Sequence, residues 1–210
     1  MAEYAYSDYN SNPDPPHQPL FLRTILKRLA EAPLPIDLVL DAGCGDGNFA
    51  ADIAEAGYQV CGVDLASTGI DIARSRGVGN FQQASLYDDL RGVFSVDSFD
   101  AVISVEVIEH LYDPRAFVAR VHEALRPGGT FIVTTPYWGY AKNIAMAVTN
   151  RMDGALTPLW DGGHIKHFSR KTLTELLVEQ GFTVRAFDGD ELRPRYLWRG
   201  MVMTCERTLS

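Results

Sequence analysis

The sequence predicts an α/β fold: a doubly wound, mostly parallel seven-stranded sheet that ends in an antiparallel C-terminal hairpin strand. Three observations predict it. From Ile36 onward, apolar runs of strand length alternate with segments of helical periodicity; a glycine-rich turn joins the first run to the first helix; and two late strand-like runs close the chain. Ahead of the alternation, Leu20, Phe21, Ile25, Leu26 and Leu29 recur at helical spacing with Arg23, Lys27 and Arg28 between them, an amphipathic helix that ends before Pro33. Then follow a strand over 36–41, a helix over 48–56, a strand over 58–64, a helix over 68–75, and strands over 80–84 and 99–105. Alternation of this kind means parallel pairing, because each crossover helix returns the chain to the same end of the sheet. Asp113 next to Pro114 starts a helix whose buried face is Val118, Val121 and Leu125, and Pro127-Gly-Gly129 turns the chain into a strand over 130–135. Ser169 caps a helix through Gln180, Gly181 ends it, and strands over 182–187 and 201–207 form the closing hairpin.

With 210 residues, 46% of them apolar, the chain has enough for one substantial core and too little for two full domains. Residues 20–210 are read as that domain. Residues 1–19 are read as a flexible leader, since Asn10–Pro19 is too rich in Pro, Asn and Asp to build a core. Tyr4, Tyr6 and Tyr9 in the leader are either exposed tail residues or a lid over a ligand. A net charge of −8 disfavours a nucleic-acid partner, which needs a broad basic face, and points to a small-molecule substrate. Cys44, Cys61 and Cys205 have neither metal-knuckle nor disulfide-framework spacing, so they are expected as free thiols in a reducing, cytoplasmic setting. No window approaches the roughly 18 apolar residues of a membrane span, and the N-terminus lacks the basic and apolar regions of an export signal. Neither end shows a heptad, which leaves the oligomeric state open.

The chemistry begins where the first strand ends. In Asp41-Ala-Gly-Cys-Gly-Asp-Gly47, glycines at 43, 45 and 47 let the backbone turn sharply and approach a ligand closely, and a helix N-terminus follows at once. Free N–H groups and a positive dipole end suit a carboxylate, while Asp41 suits an ammonium. Asp64, 23 residues beyond Asp41 at the end of the second strand, is placed to accept ribose hydroxyls. Dinucleotide sites use the same physics with a G-x-G-x-x-G spacing; here the spacing is G-x-G-x-G.

Val39–Gly47, Phe99–Ile103, Glu106-Val-Ile-Glu-His-Leu111 and Leu125–Gly129, in this order, resemble the motifs of class I S-adenosylmethionine-dependent methyltransferases, whose fold is Rossmann-like. Carried over by position, the resemblance implies that Asp41, Gly43 and Gly45 hold the methionine end of S-adenosylmethionine. It places Asp64 and Leu65 at the ribose and adenine, Ser85 and Leu86 at the adenine edge, and Cys44, Asn48, Phe49 and Val105 among the cofactor contacts. Many relatives carry an acidic residue near position 85, whereas Ser85 offers only a hydroxyl or its backbone. A looser resemblance, through Glu106–His110, Gly163-His-Ile-Lys-His-Phe-Ser169 and Tyr196-Leu-Trp-Arg199, is to the ubiquinone-pathway O-methyltransferases. Glu106, Glu109 and His110 stand at i, i+3 and i+4, so a helix beginning there would place them on one face. With His164 they make a candidate set for Mg, Mn or Zn, and a similar E-x-x-E-H array binds metal in small-RNA terminal 2′-O-methyltransferases. The alternative is metal-free, with the histidine lining the substrate pocket and a glutamate solvated.

Methyl transfer needs alignment above all, and an oxygen acceptor must also lose a proton. His110 and His164 are the candidate general bases, while His122 and His167 are read as structural. Pro136–Tyr140 and the apolar stretch Ile144–Val148 either wall a lipophilic pocket or pack the core. Lys166, Arg170, Lys171, Arg193, Arg195 and Arg199 are either solvated surface charge or attract a carboxylate, a phosphate or an anionic membrane surface, so peripheral membrane contact stays open. The leading reading is a small-molecule hydroxyl methyltransferase. Its alternatives are an RNA-terminal 2′-O-methyltransferase and a non-catalytic cofactor-binding protein.

Overall fold

Strands β1 (Leu38–Ala42), β2 (Gln59–Asp64), β3 (Asn80–Gln83), β4 (Phe99–Ser104), β5 (Leu125–Pro136), β6 (Phe182–Gly189) and β7 (Gly200–Arg207) form one seven-stranded sheet in the order β3-β2-β1-β4-β5-β7-β6. The computed structural model describes residues 18–156, 158–160, 163–189 and 198–208. Residues 1–17 with Tyr4, Tyr6 and Tyr9, and Arg193, Arg195 and Tyr196, lie outside them. β1 to β5 pair in parallel, and β7 inserts antiparallel between β5 and β6. This is the Rossmann-like doubly wound arrangement with its antiparallel hairpin strand.

Side chains alternate along each central strand and feed two cores. Leu40, Val102, Phe131, Val133, Met201 and Met203 face one side; Val39, Ala101, Ile103, Ile132 and Val202 face the other. Helices α1 (Gln18–Ala30), α2 (Asn48–Glu55) and α3 (Ser67–Ser75) bury Phe21, Ile25, Phe49, Ile53 and Ile70 on the second face. Helices α4 (Leu90–Phe94), α5 (Pro114–Ala124) and α8 (Arg170–Glu179) bury Leu90, Phe117, Val121, Leu173 and Leu177 on the first. Two further helices, α6 (Tyr140–Val148) and α7 (Met152–Leu156), bury nothing. Arg28 fastens α1 to β6 with two bonds of 2.8 Å to Asp188. No helix among the described residues is long and apolar enough to cross a membrane.

Two elements differ from expectation. The Pro127-Gly-Gly129 turn lies inside β5: pairing jumps from Phe99↔Leu125 to Ala101↔Thr130, so the intervening residues bulge, with Gly128 at φ 74°. The α4 segment, capped by the Asp89 side chain on the Arg91 N–H, spans five residues, too few to show helical periodicity.

Candidate functional site

The strand order reverses between β1 and β4, and the carboxyl ends of these two neighbours open the crevice where doubly wound sheets hold ligands. Loop 43–47 forms one wall. A Cβ on Gly43 would stand 2.5 Å from Val107 Cγ2, and one on Gly47 2.8 Å from Ala73 Cβ, and both glycines have positive φ (87° and 75°). Contact and backbone conformation therefore both require glycine. The amides of Gly43 and Cys44 donate to the Val63 carbonyl at 2.8 and 3.0 Å, and that of Gly45 to Asp64 Oδ2 at 2.9 Å. The other Asp64 oxygen accepts the Ala66 N–H at 2.8 Å, so the carboxylate is fixed between the loop and α3 with lone pairs to spare. Arg76, just past α3, donates to the Asp46 carbonyl at 2.7 Å and to its carboxylate at 3.3 Å, while Asn48 donates to the same carboxylate at 2.8 Å.

Asp41 is 1% exposed, and its Oδ2 has no hydrogen-bond partner among the described residues. Burial first, then the neighbouring charges of Asp64 and Asp46, push its carboxyl up to about 7. A cationic donor in the mouth of the loop would supply both the missing hydrogen bond and the missing counter-charge. Leu65 and Ser85 are half-buried; the Ser85 amide donates to Asp88 Oδ2 at 3.0 Å, and its hydroxyl accepts the Tyr87 N–H at 3.2 Å. Leu86 belongs to the core, and half-buried Val105 packs against the core on the other face. Cys44 and Phe49 place their side chains in the core as well, and burial pushes the Cys44 thiol far up. Any part these two take in binding is a backbone part.

Beyond β4 no α-helix begins at Glu106, so the condition under which Glu106, Glu109 and His110 would share one helical face is not met. Glu106 is left-handed at φ 55°, and only a 3-10 turn, Ile108–His110, follows. Thr134 on β5 ties this residue to the sheet: its hydroxyl accepts the Glu106 N–H at 3.0 Å and donates to Glu106 Oε1 at 2.8 Å. Burial raises the Glu106 carboxyl to about 7 against the opposing effects of Thr134 and the Lys142 charge. Glu109 is wholly buried, and neither of its carboxylate oxygens has a partner of good geometry among the described residues. Burial and then the Glu106 charge drive it well above the usual range, offset in part by the nearby Thr135 hydroxyl.

The Glu109 carbonyl accepts the N–H groups of Ile165 and Lys166, both at 2.9 Å, which pins the loop carrying His164 over the turn. His164 Nε2 stands 3.9 Å from Glu109 Oε1, and the rings of His110 and His164 are 5.0 Å apart. Ligand atoms of Glu109, His110 and His164 all lie within 4.8 Å of one another, and Glu106 is outside that group. A buried carboxylate with no hydrogen bond of good geometry, beside two imidazoles, suits a divalent cation in its chemistry. Sequence reasoning missed Trp160, whose ring lies 5.8 Å from that of His110 and 5.4 Å from that of His164, and Thr134. The signal for Thr134 was present: Thr134-Thr135 are polar residues at the carboxyl end of an apolar strand. Tyr137 packs against Phe187 of β6 and Trp198, and Trp138 against His167, while His122 packs on Phe182.

Residues 17–186 match the family model of a methyltransferase domain. A protein of Mycolicibacterium smegmatis named a "probable S-adenosylmethionine-dependent methyltransferase" is 34% identical over 152 residues, 70% of this chain and 52% of its own. The ubiquinone biosynthesis O-methyltransferase of Cereibacter sphaeroides (strain ATCC 17025) is 35% identical over 125 residues, 56% of this chain and 49% of its own. The chain thus spans about half the length of these relatives. Magnesium protoporphyrin IX methyltransferase from Synechocystis PCC 6803, solved with bound SAH, superposes with a TM-score of 0.69 at 17% identity, over 95% of this chain and 91% of that one.

Proposed function

The chain belongs to the methyltransferase-domain family, and on that premise we propose that it transfers the methyl group of S-adenosylmethionine to a hydroxyl oxygen of a small-molecule acceptor. The observation that carries the cofactor assignment is Asp41, a buried carboxylate with an unsatisfied oxygen beneath the glycine loop. It matches the cofactor's ammonium, and Asp64, held by two backbone amides, matches the ribose hydroxyls. The cofactor supplies a methyl group already activated on a sulfonium, so the protein's tasks are to align the acceptor and remove its proton. A neutral imidazole of His110 or His164 accepts that proton, and the Trp160 ring packs beside both. Alternatively, Glu109, His110 and His164 would hold a divalent ion (Mg, Mn or Zn), which as a Lewis acid on the acceptor hydroxyl would take the place of the imidazole base. The same cluster favours a second reading, an RNA-terminal ribose 2′-hydroxyl as acceptor, against which stands the net charge of −8.

Calorimetric titration with S-adenosylhomocysteine, with and without Mg, Mn or Zn, tests the assignment. Micromolar binding that Asp64→Ala weakens at least tenfold is expected, and a folded protein that does not bind overturns it. Binding without turnover of any hydroxyl acceptor, with or without metal, would identify a non-catalytic cofactor-binding protein.

A further inference from the structure

Helix α3 is joined to the glycine loop and to Asp64 at both of its ends. At its start, the Ala66 N–H donates to Asp64 Oδ1 at 2.8 Å, and Asp64 Oδ2 accepts the Gly45 amide at 2.9 Å. At its end, Ala73 packs so closely on Gly47 that a Cβ there would stand 2.8 Å from Ala73 Cβ, and Arg76 crosses to Asp46. One helix of nine residues thus carries both Asp64 and the far side of loop 43–47.

Arg76 makes two contacts with Asp46, and they differ in weight. The guanidinium stands 3.3 Å from the Asp46 carboxylate, and the two side chains are 30% and 25% exposed. An ion pair this wet contributes little. Asn48 also bonds that carboxylate, through its N–H at 3.1 Å and its side chain at 2.8 Å, so the carboxylate is held without Arg76. The bond from Arg76 Nε to the Asp46 carbonyl is the stronger contact, 2.7 Å long and charge-assisted. It acts on a peptide with little other restraint. Asp46 lies between Gly45 and Gly47, both left-handed at φ 54° and 75°, and glycines leave a peptide free to turn over. The other end of the same peptide, the Gly47 N–H, donates to the Cys44 carbonyl at 2.9 Å. With both ends bonded, the peptide keeps the orientation that closes the turn.

We propose that Arg76 is a positioning residue for the amino-acid end of S-adenosylmethionine: through the Asp46 carbonyl it keeps loop 43–47 in the conformation that receives that end. This rests on the reading of Asp41 and the glycine loop as the methionine side of the cofactor site. The ribose side depends on Asp64, which Arg76 does not touch, so the two ends of the ligand respond differently to its loss. The test uses S-adenosylhomocysteine and 5′-methylthioadenosine, which keeps the nucleoside and the sulfur and lacks the amino acid. Both are titrated calorimetrically into the wild type, Arg76→Gln, Arg76→Lys and Asp46→Asn, and amide hydrogen exchange of the loop is followed in the ligand-free proteins. In Arg76→Gln the Gly45 and Gly47 amides are expected to exchange about tenfold faster, with amides of the central strands unchanged. Affinity for S-adenosylhomocysteine falls roughly fivefold, the effect of one such bond, while that for methylthioadenosine stays within about twofold. Arg76→Lys, which can still donate to the carbonyl, recovers most of the loss, and Asp46→Asn, which keeps the carbonyl, loses less than about twofold. Unchanged loop exchange, or an equal loss for both ligands, overturns the proposal, the second by making Arg76 a general support of the fold. A loss in Asp46→Asn as large as that in Arg76→Gln also overturns it, since the ion pair would then be the effective contact. If the wild type binds neither ligand while loop exchange still quickens in Arg76→Gln, the methyl-donor reading fails and takes the binding role of Arg76 with it.

Discussion

Asp41 is an aspartate whose ordinary behaviour is reversed by its position. Its carboxyl ionises near 3.8 when solvated and at about 7 in the folded chain, because burial and two neighbouring carboxylates disfavour its charge. A raised acid pKa means that the folded state keeps a proton the unfolded state has lost. The ligand-free protein is therefore expected to lose stability as pH rises from about 4 to about 7, by up to about 4 kcal/mol at roughly 1.4 kcal/mol per pH unit. Asp41→Asn removes Asp41's share of this slope and leaves the share of Glu106 and Glu109, whose carboxyls are raised in the same direction, so urea unfolding at pH 5, 6 and 7 is expected to show a shallower slope in the variant than in the wild type. Binding has the opposite dependence. An ammonium ligand needs the ionised carboxylate, so affinity for S-adenosylhomocysteine is expected to rise close to tenfold per pH unit toward pH 7 and then level off. Calorimetry below pH 7.5, where the ligand's own amine stays charged, reads this directly, and a flat profile in the wild type would remove Asp41 from the binding site. The positions of Asp41 and Asp64, as candidate binding residues, were legible because strand ends and glycine spacing fix where they must stand. The arrangement at Glu106 was not: the i, i+3, i+4 spacing is compatible with a helical face, whereas the backbone there is left-handed and bonded to Thr134, 28 positions away.

At the scale of elements, what was legible is what is local. Helix starts and stops came from Ser169, Asp113-Pro114 and Gly181, because caps satisfy the free backbone groups of the helix end itself. The bulge at 126–129 was not legible as part of β5, since a strand's continuity depends on what its neighbour pairs with. The exposed face of α6 lay beyond reach for the same reason: the apolar residues of Tyr140–Val148 read equally as core until the fold shows which side they face. Ser169 offers the cleanest test of a local element. Its hydroxyl accepts the Thr172 N–H at 3.3 Å, its own N–H donates to the Thr172 hydroxyl at 3.0 Å, and α8 then buries Leu173, Leu176 and Leu177. Ser169→Ala is expected to cost about 1 kcal/mol and to lower the melting temperature by about 2–4 °C for a chain of this size. Affinity for S-adenosylhomocysteine should stay unchanged, since the cap lies outside the glycine loop.

Across the whole molecule, the sheet order is consistent with constraints that the sequence carries openly: alternation of strand and helix through the first five strands, the right-handed crossovers that parallel neighbours favour, and a terminal pair of strand-like runs. The candidate site follows less completely. Its cofactor side is built from one loop and two strand ends, whereas its other side is assembled from residues 106–110, 134–135 and 160–166, which only the fold brings together. Cofactor binding should therefore act on the molecule as a unit. The loop 43–47 is bonded to β2 through Val63, to α3 through Arg76 and to Asp64, so a ligand seated there contacts structure that unfolds only when the sheet does. At a ligand concentration 100 times Kd, mass action adds about 2.7 kcal/mol to the native state. For a domain of 150–250 residues this corresponds to a rise of roughly 5–11 °C in melting temperature. Differential scanning calorimetry with S-adenosylhomocysteine is expected to show one transition moved upward by that amount. If the transition instead splits, with only one part moving, the glycine loop and the C-terminal half of the sheet unfold independently, and the coupling drawn from these hydrogen bonds does not hold.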